Sequence, residues 1–495
     1  MASASDPAGG NRPAVPDDPF SRYDPGGFFC ELTGARTDPA AAALLAEVRT
    51  RMAALGVTEL RRRQDDFERE LYNLGITFTV YSDADAIDRI LPCDVIPRVI
   101  PSGEWRTIET GVVQRLQALN LFLWDIYHEQ KILADGVVPA DLVLGNKNFR
   151  KEMMGVDVPH GTYVHICGTD IVRDGRGTPL VLEDNGRTPS GVSYVVENRY
   201  MMQRIFPDVM AGLPIRKVDD YGLRLHQAMV AIAPPTVNEP QVVLLSPGVF
   251  NSAYFEHVFL AREMGVPLVE GRDLVVRDER VWLKTTAGLA PVDVIYRRLN
   301  DDFLDPLAFN PESMLGVPGL FDAYRKGNVA LANAIGTGVA DDKAIYAYMP
   351  RIIRYYLDQD AILSNVETNL CREKDGLART LDNLDRLVTK PVGEAGGYGV
   401  VVGPRATKAE LAELRALLLA DPANYISQPM VELSVSPTLI EDRLEPRHID
   451  LRPFAVTGDR TWVLPGGLTR VALRRGSLVV NSSQGGGSKD TWVLA

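Results

Sequence analysis

The sequence predicts a mixed α/β fold, with both α/β and α+β features. Residues 241–271 predict a strand, an amphipathic helix and a second strand, which is the repeating unit of parallel sheets. Residues 162–184 contain two apolar runs around the polar turn RDGRG, and this pattern predicts a β-hairpin. Residues 447–483 predict several consecutive strands. Parallel and antiparallel pairing are therefore both expected.

The remaining elements follow from hydrophobic periodicity. Apolar residues at helical spacing predict one or two helices in 40–75 and further helices in 107–132, 192–206 and 320–358. Residues 385–392 and 400–403 predict two strands on either side of a glycine-rich loop. Composition and pattern change near residues 235 and 330, and we expect unit boundaries there.

Composition limits the class of protein. The 495 residues are 45 % hydrophobic and 24 % charged, which excludes a fibrous or mostly disordered chain. The formal net charge of −12 argues against binding to nucleic acid or an anionic membrane through bulk charge. No window approaches a membrane-spanning apolar run. We therefore expect neither a nucleic-acid partner nor a membrane partner.

The cysteines and the N-terminus indicate the compartment. The four cysteines form no CxxC pair, so neither a disulfide framework nor a zinc site is expected. Residues 1–20 are rich in Ala, Ser, Gly and Pro and predict a disordered tail rather than a secretory signal. Both features favour a cytoplasmic protein.

Glycine is concentrated in two short stretches. Residues 393–403 and 466–487 together hold 11 of the 42 glycines, and the first stretch follows Lys390. Glycines let backbone N–H groups turn towards an anion, and a nearby lysine adds a positive charge, so the pattern favours phosphate binding. A glycine-rich turn beside an exposed lysine remains an equal alternative. The stretch matches neither the Walker A pattern nor GxGxxG.

Acidic side chains lie at the ends of the predicted hairpin. Glu183 and Asn185 point to one face of an extended strand, and Asp170 can lie opposite them. Two carboxylates and an amide oxygen are hard ligands of the kind that Mg²⁺ accepts. Solvated acids at a polar strand end are the alternative.

The combination resembles the ATP-grasp superfamily. That family has one lysine in a DK pattern and a second before a glycine-rich loop, as Lys343 and Lys390 are here, 47 residues apart. Its metal hairpin has an Asp followed about a dozen residues later by E-x-N, similar to Asp170 and Glu183-Asp184-Asn185. Here the hairpin precedes the lysines, an order that resembles the circularly permuted ATP-grasp type 2 family.

Further stretches carry this resemblance over nearly the whole chain after about residue 22. They include VLEDNGRTPSGVSYVVENR, YFEHVFLAREMGVPLVEGRDLVV, GNVALANAIGTGVADDKAIY and LPGGLTRVAL. The opening YDPGGFFCELTG departs from the YDE start of the family. The resemblance implies a permuted ATP-grasp fold with a helical N-terminal region and metal-binding half in 21–235, a pre-ATP-grasp-like α/β substrate unit in 236–330, and an ATP-binding half in 331–495.

Site residues are implied by the same resemblance. Mg²⁺ would be held by Asp170, Glu183 and Asn185, and the γ-phosphate would face Arg452 and Arg470. Arg297 and Arg298 are candidates for binding a substrate carboxylate, with an ion pair to Asp301 or Asp302 as an equal alternative. Asn481 is a further candidate for a contact with the substrate or the metal. The ATP contacts would be Lys343, Lys390, Gly396, Gly397, Gly399, Gln428, Val431 and Glu432. For Gln428 an ordinary role in its strand is nearly as probable.

The resemblance implies an ATP- and Mg²⁺-dependent carboxylate–amine ligase that acts through an acyl phosphate. Its partners would be a small-molecule or peptide carboxylate and an amine, and a protein partner or a second copy of the chain stays open. No protein nucleophile is expected, because the sequence shows no Ser-His-Asp or Cys-His arrangement. The alternatives are a nucleotide-binding scaffold with little ligase activity and an ATP-grasp phosphotransferase.

Overall fold

The computed structural model describes residues 18–36, 38–81, 86–249, 251–393, 399–477, 480 and 486–495. Most of the expected N-terminal tail therefore lies outside the described residues. The same holds for Gly396, Gly397 and Asn481, and for most of the strand predicted near 477–483.

Thirteen α-helices occur in the described part of the chain. The first is broken at Gly56, whose φ of 70° is not helical, so the segment predicted as one or two helices is two. The helices are α1 Pro39–Asn73, α2 Ser102–Tyr127, α3 Lys131–Ala134, α4 Ala140–Leu144, α5 Val192–Ile205, α6 Pro207–Met210, α7 Tyr221–Ala231, α8 Tyr254–Met264, α9 Asp301–Leu304, α10 Leu320–Arg325, α11 Lys343–Leu357, α12 Lys374–Asp382 and α13 Lys408–Ala420.

The strands, numbered in chain order, are β1 Thr77–Tyr81, β2 Ala86–Ile90, β3 Cys93–Ile100, β4 Ile166–Arg173, β5 Pro179–Asn185, β6 Val242–Leu245, β7 Leu268–Val269, β8 Leu274–Arg277, β9 Arg280–Thr285, β10 Gly288–Val292, β11 Val294–Arg297, β12 Ala330–Ala332, β13 Ser364–Asn365, β14 Asn369–Leu370, β15 Leu387–Pro391, β16 Val401–Val402, β17 Tyr425–Pro429, β18 Val435–Ile440, β19 Arg443–Arg452, β20 Phe454–Thr457, β21 Thr461–Val463, β22 Leu468–Val471 and β23 Gly487–Val493.

A ten-stranded sheet forms the centre of the molecule. Its main path is β13-β5-β4-β19-β22-β23-β3, with β18 on β19 and with β20 joining β4 to β21. Phe454 and Val456 belong to one hydrophobic cluster, whereas Ala455 between them belongs to another. Because side chains alternate along a strand, this sheet separates the two main cores.

Smaller sheets surround the central one. The strands β12-β11-β6-β7 form a parallel sheet, and β6 and β7 are joined through α8. The strands β14-β17-β15-β16 form an antiparallel sheet, and two further antiparallel sheets are β10-β9-β8 and β1-β2. The mixed α/β fold, the strand–helix–strand unit and the hairpin are thereby confirmed.

One predicted element differs. The helix expected over 320–358 is interrupted by the strand β12, which pairs in parallel with β11 and is buried along its whole length. Gly327, with a φ of 71°, ends the first helical part. Burial in a parallel sheet has overridden the local helical pattern. The unit boundaries near residues 235 and 330 stay predictions.

Candidate functional site

The acidic hairpin is formed by β4 and β5. Its register places Asp170 opposite Glu183 and Gly168 opposite Asn185, with an irregularity after Asp170. Residues directly opposite each other share a face of the sheet, so the three predicted metal ligands lie together. The Asn185 amide nitrogen donates to the Gly168 carbonyl at 3.2 Å. The geometry expected from the two-residue period is therefore present.

Two guanidinium groups hold the Asp170 carboxylate. Arg452 donates from Nη2 to Asp170 Oδ2 at 2.8 Å and also from Nε to Oδ1. Arg470 donates from Nη2 to Asp170 Oδ2 at 2.6 Å. Burial alone would raise the pKa of Asp170, but the two arginines outweigh it and hold that pKa well below its usual range. Asp170 is therefore ionised and engaged on both oxygens.

Asp450 is a member of this cluster that the sequence analysis missed. Arg470 donates from Nε to both Asp450 oxygens at 3.0 Å, and the Asp450 side chain is buried. Asp450 and Arg452 lie two residues apart on β19 and thus on one face, which is a signal that the sequence offered. Two buried aspartates and two arginines therefore form one charge-balanced group.

Glu183 is the more open carboxylate of the hairpin. Its nearest cation is Arg452 at 3.8 Å, and its side chain is 31 % exposed. Burial and the negative charge of Asp170 both raise the pKa of Glu183. The carboxylate is thus available for a further cation.

Lys343 is positioned by the start of α11. Asp342 caps this helix by accepting from the Ala344 and Ile345 amides at 2.8 and 3.2 Å, and it also accepts from the Asn146 side chain at 2.8 Å. Lys343 is the first residue of the helix. In the DK pair, Asp342 therefore caps the helix, and Lys343 follows the cap directly.

Lys390 comes from the small antiparallel sheet. Burial lowers the pKa of Lys390 to about 8, Lys343 acts in the same direction, and Glu183 and Asp170 oppose both. Lys343 also lies two residues after Asp341, which accepts from the amide of Gly186 at the end of the hairpin at 2.6 Å. The structure thus brings both lysines to the acidic hairpin, although the hairpin lies more than 150 residues earlier in the chain.

Gln428 lies between Lys390 and Thr368. It accepts from Lys390 Nζ at 2.7 Å and donates to Thr368 Oγ1 at 2.9 Å. Both ends of its amide are therefore occupied, which favours a role in orienting Lys390. Its predicted contact with adenine stays a prediction.

The other predicted ATP contacts are more dispersed. Val431 packs on a small cluster with Val172 and Val366. Glu432 is exposed and lies near Gly175 in the turn of the hairpin. Gly399 has a φ of 69°, a conformation that glycine adopts without strain.

The predicted substrate arginines are engaged in internal contacts. Arg297 is fully buried, donates to the carbonyls of Asn333, Leu299 and Ala334 at 2.6–2.9 Å, and pairs with Asp301 at 2.8 Å. Arg298 pairs with Glu256 at 3.0 Å. It also donates to the Pro189 carbonyl at 2.7 Å. For Arg297 this geometry favours the ion-pair alternative.

The sequence analysis also missed Asp341 and a Ser–His pair. Burial raises the pKa of Asp341 to about 6, and this carboxylate accepts from the Gly186 amide at 2.6 Å. Ser246 Oγ lies 2.8 Å from His257 Nδ1, but each residue is only 1 % exposed. A buried pair of this kind offers no accessible nucleophile.

Clustered metal ligands and membrane-spanning helices are both absent from the described ranges. Within those ranges, no group of three or more His, Cys, Asp or Glu side chains is arranged to hold a metal. No helix there has the length and apolar character needed to cross a membrane.

Comparison with protein families identifies the class as ATP-grasp. The chain belongs to the circularly permuted ATP-grasp type 2 family, whose model matches residues 97–472. It is 54 % identical to an uncharacterized protein of Synechocystis over 473 residues, covering 95 % of this chain and 98 % of that protein. A Mycobacterium tuberculosis protein, also uncharacterized, is 52 % identical over 445 residues, which are 90 % of this chain and 80 % of that one.

Two further similarities are more distant. A Frankia casuarinae protein with the provisional name glutamate–cysteine ligase 2-2 is 42 % identical over 476 residues, and the match covers 96 % of this chain but 54 % of that protein. A glutathione synthetase-like effector of Globodera pallida has a similar structure, with a TM-score of 0.56 at 11 % identity over 88 % of this chain and 96 % of that one. The latter supports the fold, and the family supports a carboxylate–amine ligase as the broad class.

Proposed function

We propose that the protein is an ATP- and Mg²⁺-dependent ligase that joins a carboxylate to an amine through an acyl phosphate. The observation that carries the proposal is the convergence of Lys343, Lys390, Glu183 and Asp170 from three separate parts of the chain. Family membership and the name of the Frankia relative agree with this activity.

The residues fit a nucleotide phosphate chain. Lys390 is buried beside a second lysine, and a buried ammonium group is unfavourable without a nearby anion. Phosphate oxygens would supply that anion, with Lys343 and Lys390 as their partners. The glycine-rich stretch after β15 would add backbone N–H groups.

Two of the three predicted ligands, Glu183 and Asn185, fit a magnesium ion as they stand. Glu183 is open, and the Asn185 oxygen makes no hydrogen bond within the described residues, so both can act as hard ligands. Asp170 is saturated by Arg452 and Arg470. It would contribute to metal binding only by giving up one of these contacts.

Bound ATP and Mg²⁺ would supply the activation of the substrate carboxylate as its acyl phosphate, which the amine then converts to an amide. Lys343 and Lys390 would bind and orient phosphate oxygens. Arg452 and Arg470, held at fixed orientations by Asp170 and Asp450, would neutralise the charge that spreads over the transferring group. Preorganised arginines need little rearrangement at the moment of reaction.

The test compares Lys390→Ala with Lys408→Ala. Lys390→Ala should lose ATP turnover, measured as phosphate release with a panel of carboxylates and amines, while its circular dichroism spectrum stays unchanged. Lys408 is an exposed lysine at the start of α13, and its removal should change neither readout. Unchanged ATP consumption by Lys390→Ala would overturn the proposal.

The product analysis separates the alternative activities. A ligase releases ADP and inorganic phosphate together with an amide, whereas a phosphotransferase releases ADP and a stable phosphorylated product. Mg²⁺-dependent thermal stabilisation by ATP without any release across the panel would favour a nucleotide-binding scaffold.

A further inference from the structure

A cleft of about 440 Å³ lies beside the outer end of β19. Its walls are the N-terminal turn around residues 22–28, the hairpin of β18 and β19, and the chain at 474–477. We call it the arginine cleft, because it is lined by Arg22, Arg443, Arg447, Arg474 and Arg475. Such a concentration of positive charge is unexpected in a chain whose net charge is −12.

The described lining of the cleft contains fewer carboxylates than arginines. Glu445 is shared by Arg443 at 2.6 Å and Arg447 at 2.7 Å. Asp24, the other carboxylate in the lining, accepts from the backbone amide of Gly26 at 2.9 Å. Arg443 and Arg447 therefore share one carboxylate, whereas Arg474 and Arg475 bring positive charge that no carboxylate in the described lining balances.

Arg474 and Arg475 carry that unbalanced charge. Both side chains are exposed, and among the described residues neither one has an ion pair or side-chain hydrogen bond. Guanidinium forks match carboxylates through two parallel N–H···O bonds. Two adjacent forks on one wall therefore fit a ligand with more than one carboxylate.

The cleft is connected to the phosphoryl-transfer site by β19. His448 lines the cleft and donates or accepts at the Leu433 carbonyl at 2.9 Å, depending on its tautomer. His448, Asp450 and Arg452 lie on one face of the strand, and Arg452 holds Asp170. At about 3.3 Å per residue, His448 and Arg452 are roughly 13 Å apart. This distance equals the length of a ligand of a few extended residues.

We propose that the arginine cleft binds the acidic part of the carboxylate substrate, an elongated organic molecule with two or more carboxylates besides the reacting one. The inference rests on the proposed ligase activity and names its substrate class. In this arrangement the reacting carboxylate reaches the arginines beside Asp170, while the remaining carboxylates are held by Arg474 and Arg475.

The test uses trimeric α-glutamate as the probe, measured by isothermal titration calorimetry with and without a non-hydrolysable ATP analogue and Mg²⁺. The wild-type protein should bind triglutamate and should not bind trialanine. Arg474→Ala/Arg475→Ala should weaken triglutamate binding by about tenfold or more, because charge-assisted contacts are lost. Thermal stabilisation by ATP and Mg²⁺ should remain as in the wild type.

Arg277→Ala/Arg280→Ala is the matched control. These two exposed arginines face each other on β8 and β9, so the variant removes the same charge at a distant place. The control should bind triglutamate like the wild type. An equal loss of triglutamate binding in both double variants would show that the overall charge of the protein causes the effect. That result would overturn the inference.

Three other outcomes test the assignment of the cleft and the proposed ligase activity. If the wild type fails to bind triglutamate under either condition, or if tripolyphosphate binds at the same arginines as tightly, the assignment to a polycarboxylate is wrong. Loss of ATP stabilisation in Arg474→Ala/Arg475→Ala would make the cleft part of the nucleotide site and would also overturn it. Triglutamate binding without any ATP stabilisation of the wild type would refute the proposed ligase and leave the cleft assignment standing.

Discussion

Three charged side chains of the candidate site have their orientation set by neighbours. Asp170 is held by two guanidinium groups, Arg470 by two carboxylates, and Lys390 by the amide of Gln428. Fixed charges in a partly buried site interact more strongly than charges in water. This arrangement agrees with the proposed binding of a ligand that brings negative charge.

The pKa of Lys390 predicts a pH limit. Its ammonium group loses its proton as the pH rises through about 8, because burial disfavours the charged form. We expect kcat/KM for ATP to fall above pH 8, since an uncharged amine binds phosphate weakly. The measurement is a pH profile of kcat/KM from pH 6 to pH 10.

Lys390→Arg provides the control for this limit. A guanidinium stays charged over the whole range, so the fall should move to higher pH even if the overall activity is lower. A wild-type profile that stays flat to pH 10 would show that Lys390 does not control ATP binding.

At the scale of elements, α11 and β15 supply the two lysines from separate layers. The start of α11 is fixed by Asp342, and β15 is fixed by its pairing with β17, where Val388 is opposite Gln428. A helix cap and a strand register thus determine where the two positive charges lie.

Asp342→Ala should separate this positioning role from simple loss of stability. Loss of an N-cap should lower the free energy of unfolding by about 1 kcal/mol. It should also raise KM for ATP, because Lys343 follows the cap directly. Denaturant unfolding and steady-state kinetics measure the two effects.

Thr407→Ala is the matched cap variant. Thr407 caps α13 by accepting from the Glu410 amide at 3.2 Å, far along the chain from Lys343. It should cost a similar free energy of unfolding and leave KM for ATP unchanged. Equal changes in KM for both variants would mean that general destabilisation, and not the position of Lys343, affects ATP binding.

At the scale of the whole molecule, buried ion pairs join segments that are remote in the chain. Glu31, in the N-terminal segment, pairs with Arg98 of β3 at 2.7 Å and with Arg173 of β4 at 3.3 Å, and it accepts from Ser434 at 2.7 Å. The segment whose sequence departs from the family pattern is therefore tied to the central sheet. The N-terminal segment therefore contributes to the stability of the fold through buried ion pairs.

Glu31→Gln should lower the free energy of unfolding by about 3–5 kcal/mol at pH 7, since it leaves Arg98 buried without its partner charge. Burial would raise the pKa of Glu31, but Arg98 and Arg173 outweigh it and lower that pKa to about 2. This group stabilises the fold fully above pH 4.5, and its contribution is lost as the pH falls towards 2. Denaturant unfolding at several pH values measures both effects.

Glu47→Gln serves for comparison, because Glu47 forms an exposed pair with Arg51 one helical turn away. It should change the free energy of unfolding by about 1 kcal/mol or less. A similarly small effect of Glu31→Gln would show that the N-terminal segment is not held by this pair.

Local patterns in the sequence were sufficient for several elements. The hairpin of β4 and β5 follows from two apolar runs and a polar turn, and the face shared by Glu183 and Asn185 follows from the two-residue period. The same kind of pattern was insufficient for β12, which looks helical until it is placed in a buried parallel sheet. Packing outweighed propensity there.

The sequence by itself determined the fold class, the acidic hairpin and the two candidate lysines, because these depend on residues close in the chain. Only the tertiary structure decided that Arg452 and Arg470 neutralise Asp170, that Arg297 is committed to internal contacts, and that five arginines line one cleft. Asp170 is 282 and 300 residues from these two partners. The hydrophobic periodicity of the sequence predicts which face of a strand or helix a side chain occupies. The residue with which that side chain forms an ion pair depends on how distant segments of the chain pack together.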